Sequence, residues 1–171
     1  VSTMLSPGGA EAWVTELADG RLLGASWHLN HQDGSDYPNA YGISLDGGMT
    51  WQPTRPTGIL GQATALTALP DCRALFVYNQ RKHGDIGVWL ALVNPTESDF
   101  GIEANEILWR AETATQEGSS ADHFSWKDFA FGEPSVALLP DGTLLMAFWS
   151  IQPSGRAIRC IRFSVRGMSL S

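Results

Sequence analysis

SLDGGMTW, residues 44 to 51, marks a point where one strand must turn into another. Asp46 precedes Gly47 and Gly48. Glycine reaches positive φ without a Cβ penalty, and an aspartate accepts hydrogen bonds from the amides of its own turn. Upstream, NAYGIS (39 to 44) mixes apolar and aromatic residues in partial alternation and predicts a strand entering the turn. Thr50 and Trp51 read as the start of the strand that leaves it. Taken alone, the octet implies an antiparallel hairpin.

Working outward, three longer segments align on a second kind of turn. They are EAWVTELADGRLLGASW (from 11), ATALTALPDCRALFVYN (from 63) and EPSVALLPDGTLLMAFW (from 133). Each is an apolar strand, then Leu-(Ala/Pro)-Asp-(Gly/Cys), then another apolar strand; Asp-Gly suits a tight hairpin. Cys72 replaces the glycine in the middle copy, so that turn must adjust or carry mild strain. Third strands are expected at 39 to 44, 86 to 93 and 157 to 165, and fourth strands near 50 to 54 and 105 to 110. The third unit has no clear fourth strand. Repeated units of about four short strands are the pattern of propeller blades. The expectation is an all-β chain of three blades, a half propeller. The blades run roughly 9–58, 59–112 and 131–171, with an aromatic-rich inter-blade loop at 111–131. Sustained helical periodicity is missing, and a β-sandwich is the main alternative.

Composition narrows the partners. The 171 residues suffice for one domain with a real core, and a net charge of -7 with no basic run argues against nucleic acid. No apolar run is long enough for a membrane-spanning helix. VSTMLSPGGA shows neither a basic n-region nor an apolar h-region, which leaves the compartment open, cytoplasmic or exported after cleavage. Cys72 and Cys160 imply no disulfide framework and are expected as free, partly buried thiols. His28, His31, Asp33 and Asp36 sit in HLNHQDGSDYP (28 to 38), but their spacing matches no metal pattern. A solvated loop is expected there, with no metal and no cofactor.

The octet matches the Ser-x-Asp-x-Gly-x-Thr-Trp pattern of the Asp box, and the chain resembles the C-terminal half of six-bladed sialidase-like propellers over about residues 9 to 166. In that family the box lies between a blade's third and fourth strands, on the rim away from the active site. The resemblance therefore implies structural roles for Ser44, Asp46, Gly48, Thr50 and Trp51. EAWVTELADGRLL resembles the family segment in which a Glu opens a blade's first strand and partners a tyrosine nucleophile; Glu11 is the matching residue. The segments from Gly61 and from Phe131 resemble parts of bacterial sialidase-like proteins. First strands line a propeller's central channel, and the turn alignment puts Glu11 and Glu133 at the same place in different blades. Ala63 takes that place in the middle blade, with Gln62 beside it. Two carboxylates on one concave site are what glycosidases commonly use, which makes Glu11 and Glu133 the catalytic candidates.

Departures from the family are equally plain. Sialidases grip the substrate carboxylate with three arginines. Where one is expected, this chain has Trp27 and His28. Arg81 is the candidate for another, with His83 competing. The family's tyrosine nucleophile has no counterpart at its expected place, near which Glu133 stands, and the N-terminal blades are absent. Trp27, His28, Tyr37 and Tyr41 offer flat faces suited to sugar rings. The resemblance thus implies a sialidase-like protein of glycan recognition or processing that lacks full sialidase machinery by itself. The alternatives are a glycoside hydrolase active as a dimer through Glu11 and Glu133, and a non-catalytic protein-interaction propeller. Three blades do not close a ring, so a homodimer completing six is expected.

Overall fold

The computed structural model describes residues 1–6, 9–30, 32–116 and 126–165, apart from the side chains of Ala63 and Trp126. Its strands fall into three separate antiparallel sheets, each a meander in chain order. The first holds β1 (Ala10–Glu16), β2 (Leu22–Trp27), β3 (Ala40–Ser44) and β4 (Arg55–Pro56). The second holds β5 (Gln62–Ala68), β6 (Ala74–Gln80), β7 (Gly87–Val93) and β8 (Ile102–Arg110). The third holds β9 (Phe131–Leu138), β10 (Leu144–Gln152) and β11 (Gly155–Phe163). The all-β expectation holds: among the described residues the sole helical element is the 3-10 turn Trp126–Asp128.

Each sheet is two-faced, and the faces mate in series. Alternation along β2 and β3 puts Leu23, Ala25, Tyr41 and Ile43 on one side, packed against Phe76, Tyr78 and Ala91 of the second sheet. The opposite face of β6 and β7, with Leu75, Val77 and Leu90, packs on Leu144, Met146 and Phe148 of the third. β5 neighbours both β1 and β9, so the first strands of the sheets lie in sequence β1-β5-β9. The outward face of the first sheet is formed around Gly24 and Gly42, which pair in register. A Cβ on Gly42 would lie 3.2 Å from Leu5 Cδ2 and 3.6 Å from Trp51, and one on Gly24 would overlap Met4 Sδ. Residues 1–6 therefore cover this face without forming a strand.

The strand expected from Thr50 is shorter and later than the sequence suggested. β4 is confined to Arg55–Pro56. Pro53 precedes it and Pro56 is its second and last residue, and proline gives a ladder no N–H. The three Asp turns are alike. Gly20 and Gly142 have φ of 85° and 80°, and Cys72 takes 67° at the same place, so its turn carries the strain unadjusted. Cys160 is exposed rather than partly buried; Cys72 is half-buried, and both are free.

Candidate functional site

The turn alignment of the sequence reappears in the ladders. In the first sheet the register slips between Ala10 and Trp13, in the second between Gln62 and Thr64, and in the third at Glu133, where Gly132 pairs Trp149 and Ser135 pairs Ala147. Glu11, Ala63 and Glu133 thus stand at equivalent β-bulges. A bulge residue in the left-handed region is normally glycine. Here Glu11 has φ 52° and Glu133 φ 51°. For residues with a side chain this conformation is costly, and it persists where the surroundings impose it.

Both glutamates are exposed and line two adjoining cavities on the side where the first strands meet. One, of about 370 Å³, is also lined by Arg81, Gln116, Lys127 and Trp149. The other, of about 230 Å³, adds Trp13, Thr64 and Ser135. The 111–131 segment supplies part of the wall. Gln116 Nε2 donates to the carbonyls of Lys127 and Phe129 at 3.2 and 3.0 Å, and Phe129 and Phe131 are buried. Phe124, another aromatic residue of that segment, lies outside the described residues.

Arg81 is 5% exposed. Its Nε and Nη2 donate to the Phe131 carbonyl at 3.1 and 2.7 Å, and its guanidinium carbon sits 4.0 Å from the centre of the Phe129 ring. Gly132 makes room for it, since a Cβ there would lie 2.8 Å from Arg81 Nη2 and 2.9 Å from Trp149. Burial lowers the Arg81 pKa to about 10, opposed by the charges of Glu11 and Glu133. The group is a cation held behind the two carboxylates. Much of its fork is committed to a backbone carbonyl, a poor arrangement for an open carboxylate clamp.

Asp36 organises a second cluster that the sequence had consigned to solvent. Its side chain is 1% exposed. It accepts from Trp27 Nε1 at 3.0 Å and Gln62 Nε2 at 3.3 Å, with His83 Nε2 at 2.8 Å and Lys82 Nζ at 3.4 Å. Gln62 is fully buried, and its Oε1 accepts the Arg81 backbone N–H at 3.0 Å. Trp27, Gln62 and His83 are therefore joined through Asp36 to the Arg81 backbone. His28 is half-buried against Tyr37, 5.2 Å between centroids.

Of the four proposed sugar-stacking residues, Trp27 and Tyr41 are buried, at 6% and 2% exposure. Tyr41 packs between the sheets, 4.9 Å from Phe100. Both share strand parity with core residues. Tyr37, at 45%, presents an open face. His31 lies outside the described residues; among these no group of His, Cys, Asp and Glu is arranged to hold a metal.

The 44–51 turn closes by side-chain bonds. Ser44 Oγ donates to Asp46 Oδ1 at 2.9 Å and accepts from Gly48 N at 2.9 Å. Thr50 donates through N to Asp46 Oδ1 at 2.8 Å and through Oγ1 to Oδ2 at 2.6 Å. The Thr50 hydroxyl is the main cause that holds the Asp46 carboxyl below its usual range. Trp51 packs against Gly24, Gly42 and Gly48 and lines neither cavity.

No family model matches the sequence, and no curated protein matches it. The chain is similar in structure to a crystal structure of a protein of unknown function from Dyadobacter fermentans. The TM-score is 0.71 at 20% identity, over 96% of this chain and 41% of that one. The likeness concerns the fold alone, and the chain spans about two fifths of that structure's length.

Proposed function

We propose that the three sheets are consecutive blades of a sialidase-like β-propeller, and that the cavities beside Glu11 and Glu133 bind a saccharide. The observation that carries this is the pair of left-handed glutamates. The same strained geometry stands at equivalent bulges of two sheets, and both side chains border the same two cavities. Serial mating of sheet faces and the β1-β5-β9 sequence of the first strands support the propeller arrangement. Carboxylates accept the hydroxyl protons of a sugar, and Trp149 supplies an apolar wall. Lys127 and Gln116 add polar groups at the same cavity.

Cleavage of sialic acid is not part of the proposal. Among the described residues Arg81 is the one arginine lining this cavity, and Phe131 O occupies it. If the site performs hydrolysis, the paired carboxylates are its acid and base, and a complete ring is needed to enclose the sugar. A second copy could complete that ring, but only if Met4 and Leu5 leave the face of the first sheet.

A glycan array read with the parent chain and with Glu11→Gln and Glu133→Gln tests the assignment. The expected result is a restricted set of bound saccharides, lost in both variants while their urea melts stay unchanged. Binding that survives both substitutions would remove the two glutamates from the site.

A further inference from the structure

The middle copy of the repeat has no carboxylate at its bulge: Ala63 stands there, between Gln62 and Thr64. β5 lies between β1 and β9, so the strand that lacks a glutamate touches both strands that carry one. Thr64 is 6% exposed, and its Oγ1 donates to the carbonyl of Glu11 at 3.3 Å. Thr67, an odd number of residues further and so on the opposite face of β5, donates through Oγ1 to Val136 O of β9 at 2.8 Å. Both bonds cross between sheets that share no ladder.

Closer to Glu133 the grip comes from Arg81. Its fork holds Phe131 O, just upstream of the glutamate, and Gly132 between them leaves the space that the guanidinium fills. Arg81 is itself fixed at both ends. The Phe129 ring lies 4.0 Å from its guanidinium carbon, and its backbone N–H donates to Gln62 Oε1 at 3.0 Å. Gln62 in turn donates to Asp36, on the connection of β2 to β3. Gln62 is fully buried and borders neither cavity, so the expectation that it touches substrate gives way to a role behind the site.

These bonds fall where the two strained residues need them. A left-handed residue with a Cβ relaxes to ordinary extended backbone unless its surroundings hold it. Its own ladder gives little help, because the register slips at both glutamates. The Glu11 carbonyl belongs to the peptide plane that follows the strained φ, and Thr64 fixes that plane. At Glu133 the anchor lies upstream, in the peptide that joins Phe131 to Gly132.

We infer that Gln62, Thr64 and Arg81 are positioning residues. Through Thr64 on one side and Gln62 with Arg81 on the other, the second sheet holds Glu11 and Glu133 in the left-handed geometry and sets the spacing of their side chains. The middle copy of the repeat supplies the frame, and its two neighbours supply the carboxylates. What this does to ligand affinity rests on the saccharide reading of the cavities; what it does to the backbone does not.

Two readouts on one set of variants test it. A positive φ brings a residue's own amide and α protons close and gives a strong intraresidue NOE, which reports the backbone at 11 and 133 in the free protein. Affinity for the saccharides selected on the array reports the site. Thr64→Val removes the hydroxyl at nearly constant shape. It is expected to weaken the NOE of Glu11, to leave that of Glu133, and to lower affinity about fivefold, as one lost hydrogen bond would. Thr64→Ser restores both. Arg81→Lys keeps the charge but not the fork, and weakens the NOE of Glu133 alone. Unchanged NOEs in both Thr64→Val and Arg81→Lys would overturn the inference, as would failure of Thr64→Ser to restore the parent values. Equal loss at both glutamates in each variant would mark a general loosening and overturn it too. Weakened NOEs with unchanged affinity would remove the positioning role in binding. If the parent chain binds no saccharide, the saccharide reading fails by itself, and the NOEs still decide whether the second sheet holds the glutamates.

Discussion

Glycine substitution at the two bulges separates a site held under strain from an ordinary pair of surface glutamates. Holding a residue with a Cβ in the left-handed region costs about 1–2 kcal/mol. Glu11 at 52° and Glu133 at 51° both carry that cost. Glycine relieves it but loses more chain entropy on folding, about 0.5–1 kcal/mol relative to alanine. Alanine keeps the strain and, like glycine, lacks the carboxylate. The difference between the Gly and Ala variants at one position therefore cancels the lost charge facing Arg81 and leaves the backbone contribution. At residues 11 and 133 glycine is expected to be more stable than alanine by about 0.5–1 kcal/mol, the reverse of the usual order in a strand. In a chain of 171 residues, 1 kcal/mol corresponds to a shift in Tm of about 2–4 °C. Urea melts with unchanged m-values measure it. Ala65→Gly, in a bulge-free part of β5, is the control and should destabilise. If alanine equals or exceeds glycine at both bulge positions, no strain is stored there and the case for the site loses its main support.

The same logic predicts that Cys72→Gly stabilises by about 0.5–1 kcal/mol, because Cys72 sits at φ 67° where the sister turns have glycine; thermal melts would show it. Arg81→Ala strips Phe131 O of a charged donor and Phe129 of its cation, and is expected to cost about 3 kcal/mol in urea melts. Asp36→Ala leaves Gln62 Nε2 and Trp27 Nε1 without their acceptor and should cost about 2–3 kcal/mol by the same measurement. Asp46 has a pKa lowered below 3.8 in the folded chain, so its contribution is fully present above that value and is lost as pH falls through the folded pKa. Thr50→Val removes the leading cause and should flatten the loss of stability on that acid side, read from melts across pH 2 to 5.

Much of the fold was legible because its turns are local. Asp-Gly pairs and the 44–51 octet are short-range chemistry, and aligning on them placed Glu11, Ala63 and Glu133 at one structural position before any ladder was known. Strand parity could have corrected two residues: Tyr41 alternates with Ile43, and Trp27 with Leu23 and Ala25, all on the packed face. Asp36 was not legible. Its partners Gln62, Lys82 and His83 lie 26 to 47 residues away, and the composition around it is that of a solvated loop. The commitment of Arg81 to Phe131 O is likewise a contact over 50 residues, without a local signal. β4 was overextended because Thr50 and Trp51 favour strands, while the ladder obeys the prolines that follow.

The most direct measurement is chemical-shift mapping of isotopically labelled protein titrated with the saccharides selected on the array. The account predicts shifts concentrated on the Trp149 indole, the Gln116 side-chain amide and the backbone of residues 11 and 133. Shifts elsewhere, or none at all in a folded sample at millimolar saccharide, would contradict it.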